Sequence, residues 1–215
     1  RLTNGHNELV LANRNGRAVR FDENAVRAMG RVSTGVRGMR LDGGDDEVVG
    51  MVVVNKPDEE TIMVVSENGY GKRSLVEDYR VTNRGGKGVK TLGITEKTGR
   101  LVAIKVVTDE NDLMIINKSG IVIRLSVKEC RVMGRATQGV RLINLTKKND
   151  VIASVCKVMS SELEAVVEDE SRKQMVATNE RINQDSTSAP ATQFEDGDHI
   201  EESDSVADNN DVNNE

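Results

Sequence analysis

The chain writes one pattern three times, and that repetition constrains its fold more than any other feature. Gly16, Gly69 and Gly120 each follow a short apolar run, and a second glycine stands nineteen residues after each, at Gly35, Gly88 and Gly139. The repeat start moves by 53 and then 51 residues. A period near fifty belongs to propellers and related arrays. In these, one unit cannot bury its apolar faces alone and must stack on its neighbours.

Each copy reads as four short strands. The first strands are residues 9–12, 62–65 and 113–116, rich in Leu, Ile and Val. Turn signals follow at Asn15-Gly16, Asn68-Gly69 and Ser119-Gly120. Asn-Gly between apolar segments predicts a tight hairpin in which both turn residues take positive φ. Second strands follow at 18–21, 72–75 and 121–125. The second glycine then opens a third strand, whose outer part alternates as Met39/Leu41, Leu92/Ile94 and Ile143/Leu145. Fourth strands at 48–54, 101–107 and 151–158 are dominated by β-branched residues, which suit a pleated surface. The predicted fold class is all-β, a propeller-like array of four-stranded blades at 8–56, 57–108 and 109–158. Three blades do not close a ring, and the chain opens on Arg1. It is therefore expected to be the end of a longer array, with residues 1–7 a remnant of a preceding unit or connection.

Net charge divides the chain. Residues 1–158 hold 27 Lys+Arg against 19 Asp+Glu, while residues 159–215 hold 3 against 16. Such asymmetry fits a nucleic-acid-binding body with an acidic tail. The tail is poor in large apolar residues and is expected to be disordered. It has two readings: a solubilising end, or a competitor with nucleic acid for the basic body. Deleting it and measuring affinity at low and high salt separates them.

Within the body, four columns are basic in every copy: Arg20/Arg73/Arg124, Arg27/Arg80/Arg131, Arg31/Arg84/Arg135 and Arg37/Lys90/Arg141. Twelve charges in register point to a partner that is itself a regular array of negative charge, namely double-stranded DNA. Arginine binds phosphate oxygens with a two-pronged fork, and neighbouring glycines let the backbone approach and donate N–H groups. The loops 29–35, 82–88 and 133–139 combine both properties. The alternative is that these arginines are ordinary solvated charges and the glycines ordinary turn residues.

Other chemistries find little support. The aromatics are Phe21, Tyr70, Tyr79 and Phe194, too few for a base-stacking platform, which favours duplex over single strands. Tyr79 falls in the column of Val26 and Cys130 and reads as packing. Gly71-Lys72-Arg73 and Gly86-Lys87-Gly88 lack the remaining residues of a nucleotide-binding loop. His6 and His199 lie in terminal segments, and Cys130 and Cys156 match no metal spacing. The simpler reading of the two cysteines is reduced thiols in a cytoplasmic protein, with a disulfide left open. Asp45, Asp46 and Glu47 read as a solvated loop. No apolar run is long enough to span a membrane. Catalysis, cofactor and metal are expected to be absent from this chain.

Several stretches resemble a known family. Gly69-Tyr70-Gly71-Lys72-Arg73, Ala25-Val26-Arg27-Ala28-Met29-Gly30 with Thr34-Gly35-Val36-Arg37-Gly38, and Val132-Met133-Gly134-Arg135-Ala136-Thr137-Gln138-Gly139-Val140 look like the C-terminal domain of the bacterial DNA gyrase A protein. The resemblance covers residues 8–158. It implies a six-bladed β-pinwheel whose blades exchange a hairpin with their neighbours and whose basic rim wraps duplex DNA. It further implies a heterotetrameric holoenzyme, with two copies each of the gyrase A and gyrase B proteins, that introduces negative supercoils with ATP and Mg2+ bound on other domains. The localisation implied is cytoplasmic, at the nucleoid. The family's signature box, Gln-Arg-Arg-Gly-Gly-Lys-Gly, is matched at five of seven positions by Thr82-Asn83-Arg84-Gly85-Gly86-Lys87-Gly88, in the middle repeat rather than in a first blade. The resemblance therefore carries a DNA contact only to Arg84 and Lys87, in a box-like loop with Gly85, Gly86 and Gly88. Two alternatives stay open: the shorter C-terminal domain of the topoisomerase IV A protein, and a protein-interaction propeller of chromatin-associated or exchange-factor type.

Overall fold

The computed structural model describes residues 1–145 and 150–159. Its strands are β1 (Glu8–Asn13), β2 (Arg17–Asp22), β3 (Val48–Val54), β4 (Thr61–Ser66), β5 (Tyr70–Leu75), β6 (Val89–Lys90), β7 (Leu101–Val107), β8 (Asn111–Asn117), β9 (Val122–Ser126), β10 (Val140–Arg141) and β11 (Ile152–Met159). A single 3-10 turn follows the second strand of each repeat: η1 (Glu23–Ala25), η2 (Val76–Asp78) and η3 (Val127–Glu129). The predicted acidic tail lies outside the described residues, apart from Met159.

The strand order is β3-β1-β2-β6 in the first sheet, β10-β5-β4-β7 in the second and, among the described residues, β11-β8-β9 in the third. All pairings within them are antiparallel. This order corrects one expectation. The third strand does not finish the sheet of its own repeat; it completes the sheet before. β6 pairs with β2 through Arg17↔Lys90 and Ala18↔Val89, and β10 pairs with β5 through Val140↔Gly71 and Arg141↔Tyr70. It is also only two residues long and starts right after the second glycine, so Met39/Leu41 is not a strand and Leu92/Ile94 and Ile143/Leu145 lie beyond one. A two-residue strand is too short to carry a period, which is why alternation misplaced it.

The hairpin turn differs too. Gly16 N–H donates to Asn13 O at 3.1 Å, and the same bond recurs from Gly69 to Ser66 O and from Gly120 to Asn117 O, each at 3.1 Å. The central turn residues are therefore those preceding the glycine. The glycine itself, at φ +74°, +78° and +84°, closes the turn in the left-handed region.

The apolar strands pack on both faces. Ile62 and Val64 of β4 join a cluster with Val10, Ala12, Val52 and Val54 of the first sheet. Their alternates Met63 and Val65 join a second cluster with Leu113, Ile115, Ile152 and Val155 of the third. Strand alternation thus sends successive residues of β4 to opposite neighbours, and all six of its residues are buried. Each such aliphatic side chain contributes about 1.5–3 kcal/mol by leaving water. β7 packs against β3 on one side and β11 on the other. That places β6 and β10, at the far end of the sheet order, on the outer edge of the blades.

Candidate nucleic-acid interface

The four basic columns take three different places. The first turns inward. Arg20 is 9% exposed. Its guanidinium pairs with Glu8, and its Nη1 donates to Val76 O at 2.8 Å and Tyr79 O at 2.9 Å, both in the next repeat. Arg73 is equally buried; its Nε donates to Cys130 O at 2.7 Å and its Nη1 meets Asp109. Cys130 occupies the column of Tyr79, so the two arginines tie each blade to the next in the same way. Arg124 is exposed but pairs with Asp112. The donors of Arg20 and Arg73 are committed inside the protein, which corrects their assignment as rim charges.

The third column makes bridges in the opposite direction. Arg84 Nε donates to Ala25 O at 2.8 Å and its Nη1 to Arg37 O at 3.2 Å. Arg135 repeats this one blade on, to Asp78 O at 2.9 Å and Lys90 O at 2.9 Å. Both are half-buried, whereas Arg31 is exposed and has no internal partner among the described residues.

The remaining two columns face solvent. Arg27, Arg80 and Arg131 each follow the residue that caps a 3-10 turn. All three are exposed, and none has a side-chain partner among the described residues. Arg37 and Lys90 are likewise exposed and unpaired among the described residues, Lys90 on β6 at the outer edge. Arg141, on β10, is exposed yet oriented. Its Nε and Nη2 reach Tyr70 Oη at 3.2 and 2.9 Å, and its guanidinium lies 5.5 Å from the ring centre. These contacts go to a hydroxyl and an aromatic ring and to no carboxylate.

The following repeat runs along the outer edge of the first and second blades. Thr82 N–H donates to Arg20 O at 2.8 Å and Met133 N–H to Arg73 O at 2.8 Å. Thr91 N–H and Leu142 N–H each donate at 2.8 Å to the turn glycine of the preceding repeat, Gly16 O and Gly69 O. Arg80 and Arg131, at the start of these straps, thereby sit at the seams between blades.

The box-like loop is built into such a seam. Gly85 N–H donates to Gly38 O at 2.6 Å, and Gly86 O accepts from Arg40 N at 2.8 Å. A Cβ on Gly88 would lie 2.3 Å from Ala18 O, and one on Gly139 2.5 Å from Gly71 O. These glycines allow close approach of two blades; the expected N–H donor at Gly85 is taken. Lys87 pairs with Asp42 at 2.7 Å, and that hydrogen bond holds the Asp42 carboxyl below its ordinary range. Lys87 is 53% exposed, so its ammonium is neutralised locally while remaining accessible.

Other residues read from sequence fall as follows. Tyr79 is fully buried with its hydroxyl 2.6 Å from Thr91 Oγ1, and burial pushes its pKa up, in keeping with packing. Asp46 is not part of a solvated loop: it is 8% exposed and accepts from Asn13 Nδ2 at 2.7 Å and Asn15 N at 3.2 Å. Cys130 and Cys156 are both free. Lys72 was missed as a special residue. It is fully buried, its Nζ donating to Gly134 O at 2.6 Å and Ser74 Oγ at 3.3 Å, and burial draws its pKa down to about 8. Its equivalents are Val19 and Ile123, and that break in an otherwise apolar column was the available signal. No cluster of three or more His, Cys, Asp or Glu side chains able to hold a metal occurs among the described residues. No described helix is long and apolar enough to cross a membrane.

Comparison with known proteins bears on this arrangement. A family model described as DNA gyrase C-terminal domain, beta-propeller, matches residues 7–55, 60–108 and 111–156. The chain belongs to the DNA gyrase C-terminal domain family. Among its relatives, the DNA gyrase A protein of Staphylococcus aureus (strain NCTC 8325 / PS 47) is 45% identical over 170 residues, which is 79% of this chain and 19% of the relative. The same protein from strain MRSA252 is 47% identical over 158 residues, 74% of this chain and 18% of the relative. The chain thus spans about a fifth of the length of these gyrase A proteins. The C-terminal domain of a DNA topoisomerase IV superposes with a TM-score of 0.70 at 27% identity, covering 79% of this chain and 53% of that one. A DNA gyrase A C-terminal domain superposes with a TM-score of 0.66 at 25% identity, covering 73% and 52%.

In this member of the gyrase C-terminal domain family, strand exchange gives the repeated basic residues their division of labour. The second and third repeats each lend a strap to the blade before. A basic side chain can therefore face the strap from beneath, bridge it, or stand outside it. The sequence placed all four columns in register but could not tell these situations apart.

Proposed function

We propose that the chain is a duplex-DNA-binding and wrapping part of a gyrase A protein. The observation that carries this reading is the set of cations at the outer end of the blades without an internal counter-charge among the described residues: Arg27, Arg31, Arg37, Arg80, Lys90 and Arg131, with Arg141 held in place by Tyr70. Except for Arg31 they fall in two columns, Arg27/Arg80/Arg131 and Arg37/Lys90/Arg141, that recur at the blade period, and phosphate contacts of this kind position a protein on DNA without reading bases. In the holoenzyme this part would act with the rest of the gyrase A protein and with the gyrase B protein, in an assembly of two of each. ATP and Mg2+ there would drive negative supercoiling from sites on other domains. Preference among sequences would come from how readily a duplex bends, since wrapping costs deformation energy. The superposition on topoisomerase IV supports the A protein of that enzyme as a second reading; identity of 45% to a gyrase A protein favours the first.

The test is the salt dependence of binding to a linear duplex. With about six phosphates neutralised, log K falls against log salt with a slope near −5, at about −0.9 per phosphate. A slope shallower than about −2 contradicts the assignment.

A further inference from the structure

We infer that Arg84 and Arg135 are positioning residues, whose guanidinium forks set the spacing of the DNA-facing cations of the preceding repeat. This rests on the wrapping reading above and deepens it. Each fork grips two carbonyls of the previous repeat. Arg84 holds Ala25 O and Arg37 O; Arg135 holds Asp78 O and Lys90 O. The four carbonyls fall in two columns, since Ala25 aligns with Asp78 and Arg37 with Lys90. In each case one carbonyl lies two residues before a solvent-facing arginine, Arg27 or Arg80. The other belongs to a solvent-facing cation itself, Arg37 or Lys90. The fork therefore clamps together the two stretches of backbone that carry the free charges of one repeat.

Its chemistry suits that task. The guanidinium is planar and rigid, so two N–H groups fix two acceptors at one separation, whereas an ammonium on a flexible stem cannot. In the first repeat no strand holds either stretch: Ala25 ends a three-residue 3-10 turn, and Arg37 lies outside any strand. Because each fork belongs to one repeat and its acceptors to the one before, it also fixes one blade's cations relative to its neighbour. A wrapped duplex must meet charges at fixed intervals around a curve, while a short straight duplex needs only their number. The forks are thus expected to matter more for wrapping than for binding.

Replacement by lysine keeps the charge and removes the fork; replacement by glutamine removes both. In the 215-residue chain, Arg84→Lys with Arg135→Lys is expected to leave the salt slope on a linear duplex of about 20 base pairs unchanged. It is expected to lower the linking-number shift on relaxed circles closed by topoisomerase I at least threefold at saturating protein. Hydrogen exchange is expected to quicken about tenfold in peptides covering residues 25–40 and 78–93, independently of DNA. Full topological shift in the lysine variant, with the slope lost only in Arg84→Gln and Arg135→Gln, would make these arginines direct phosphate ligands and overturn the inference. Unaltered exchange in the lysine variant overturns it as well. A wild-type chain that shifts no linking number, while exchange responds as expected, contradicts the wrapping reading and leaves the clamp standing.

Discussion

Arg20 and Arg80 carry the same side chain to different ends, and their surroundings decide which. Arg20 lies under the strap of the next repeat, with Glu8 and two carbonyls on its donors, while Arg80 stands at the seam in solvent. Removing Arg20 would strand a partly buried carboxylate and two acceptors. Arg20→Gln is expected to cost about 3 kcal/mol in urea denaturation. Arg80→Gln is expected to cost less than about 0.5 kcal/mol and to make the salt slope of duplex binding shallower by about 1. Lys72 gives a pH signature. Below pH 8 its amine is protonated in the folded and unfolded chain alike. Between about 8 and its ordinary value near 10.5 the unfolded chain keeps a proton that the folded chain has released. Stability attributable to Lys72 therefore rises with pH across that window, and below pH 8 it stays at its lowest level. Asp78 and Arg135 are the charges that act on it, the first raising and the second lowering its pKa. The denaturation midpoint of wild type relative to Lys72→Met is expected to climb from about pH 8 to about pH 10; a constant difference would contradict the buried amine.

The long strands were legible because seven-residue runs rich in β-branched residues leave few alternatives, as at Val48–Val54 and Leu101–Val107. The exchange of β6 and β10 was not legible from the residues themselves. Spacing along the chain does not say which sheet a two-residue strand joins, and only the family resemblance carried an exchange between blades. The glycines hold a trace of it. Gly35, Gly88 and Gly139 all take positive φ, but only Gly88 and Gly139 press against a neighbouring carbonyl. Gly35→Ala is expected to cost roughly 1–2 kcal/mol, the left-handed penalty alone. Gly88→Ala and Gly139→Ala add a backbone collision and are expected to cost about 4 kcal/mol or more. Equal denaturation midpoints for the three variants would contradict the strap geometry.

At the scale of the whole molecule, the blades are fastened from both sides of each seam. Arg20 and Arg73 reach forward to the next repeat, Arg84 and Arg135 reach back, and between them apolar side chains of adjacent sheets interdigitate. The outcome is a body whose inner strands are packed and whose outer edge carries uncompensated positive charge. Bulk composition concealed this, since the 35 acids outnumber the 30 bases over the full length. The central claim is that this edge bends duplex DNA rather than merely holding it. The most direct measurement is the linking number of relaxed circular DNA closed by topoisomerase I with increasing amounts of the 215-residue chain. The topoisomer distribution is expected to move steadily away from its protein-free centre as the circles saturate. A distribution that stays at that centre while the circles are demonstrably bound would contradict the claim.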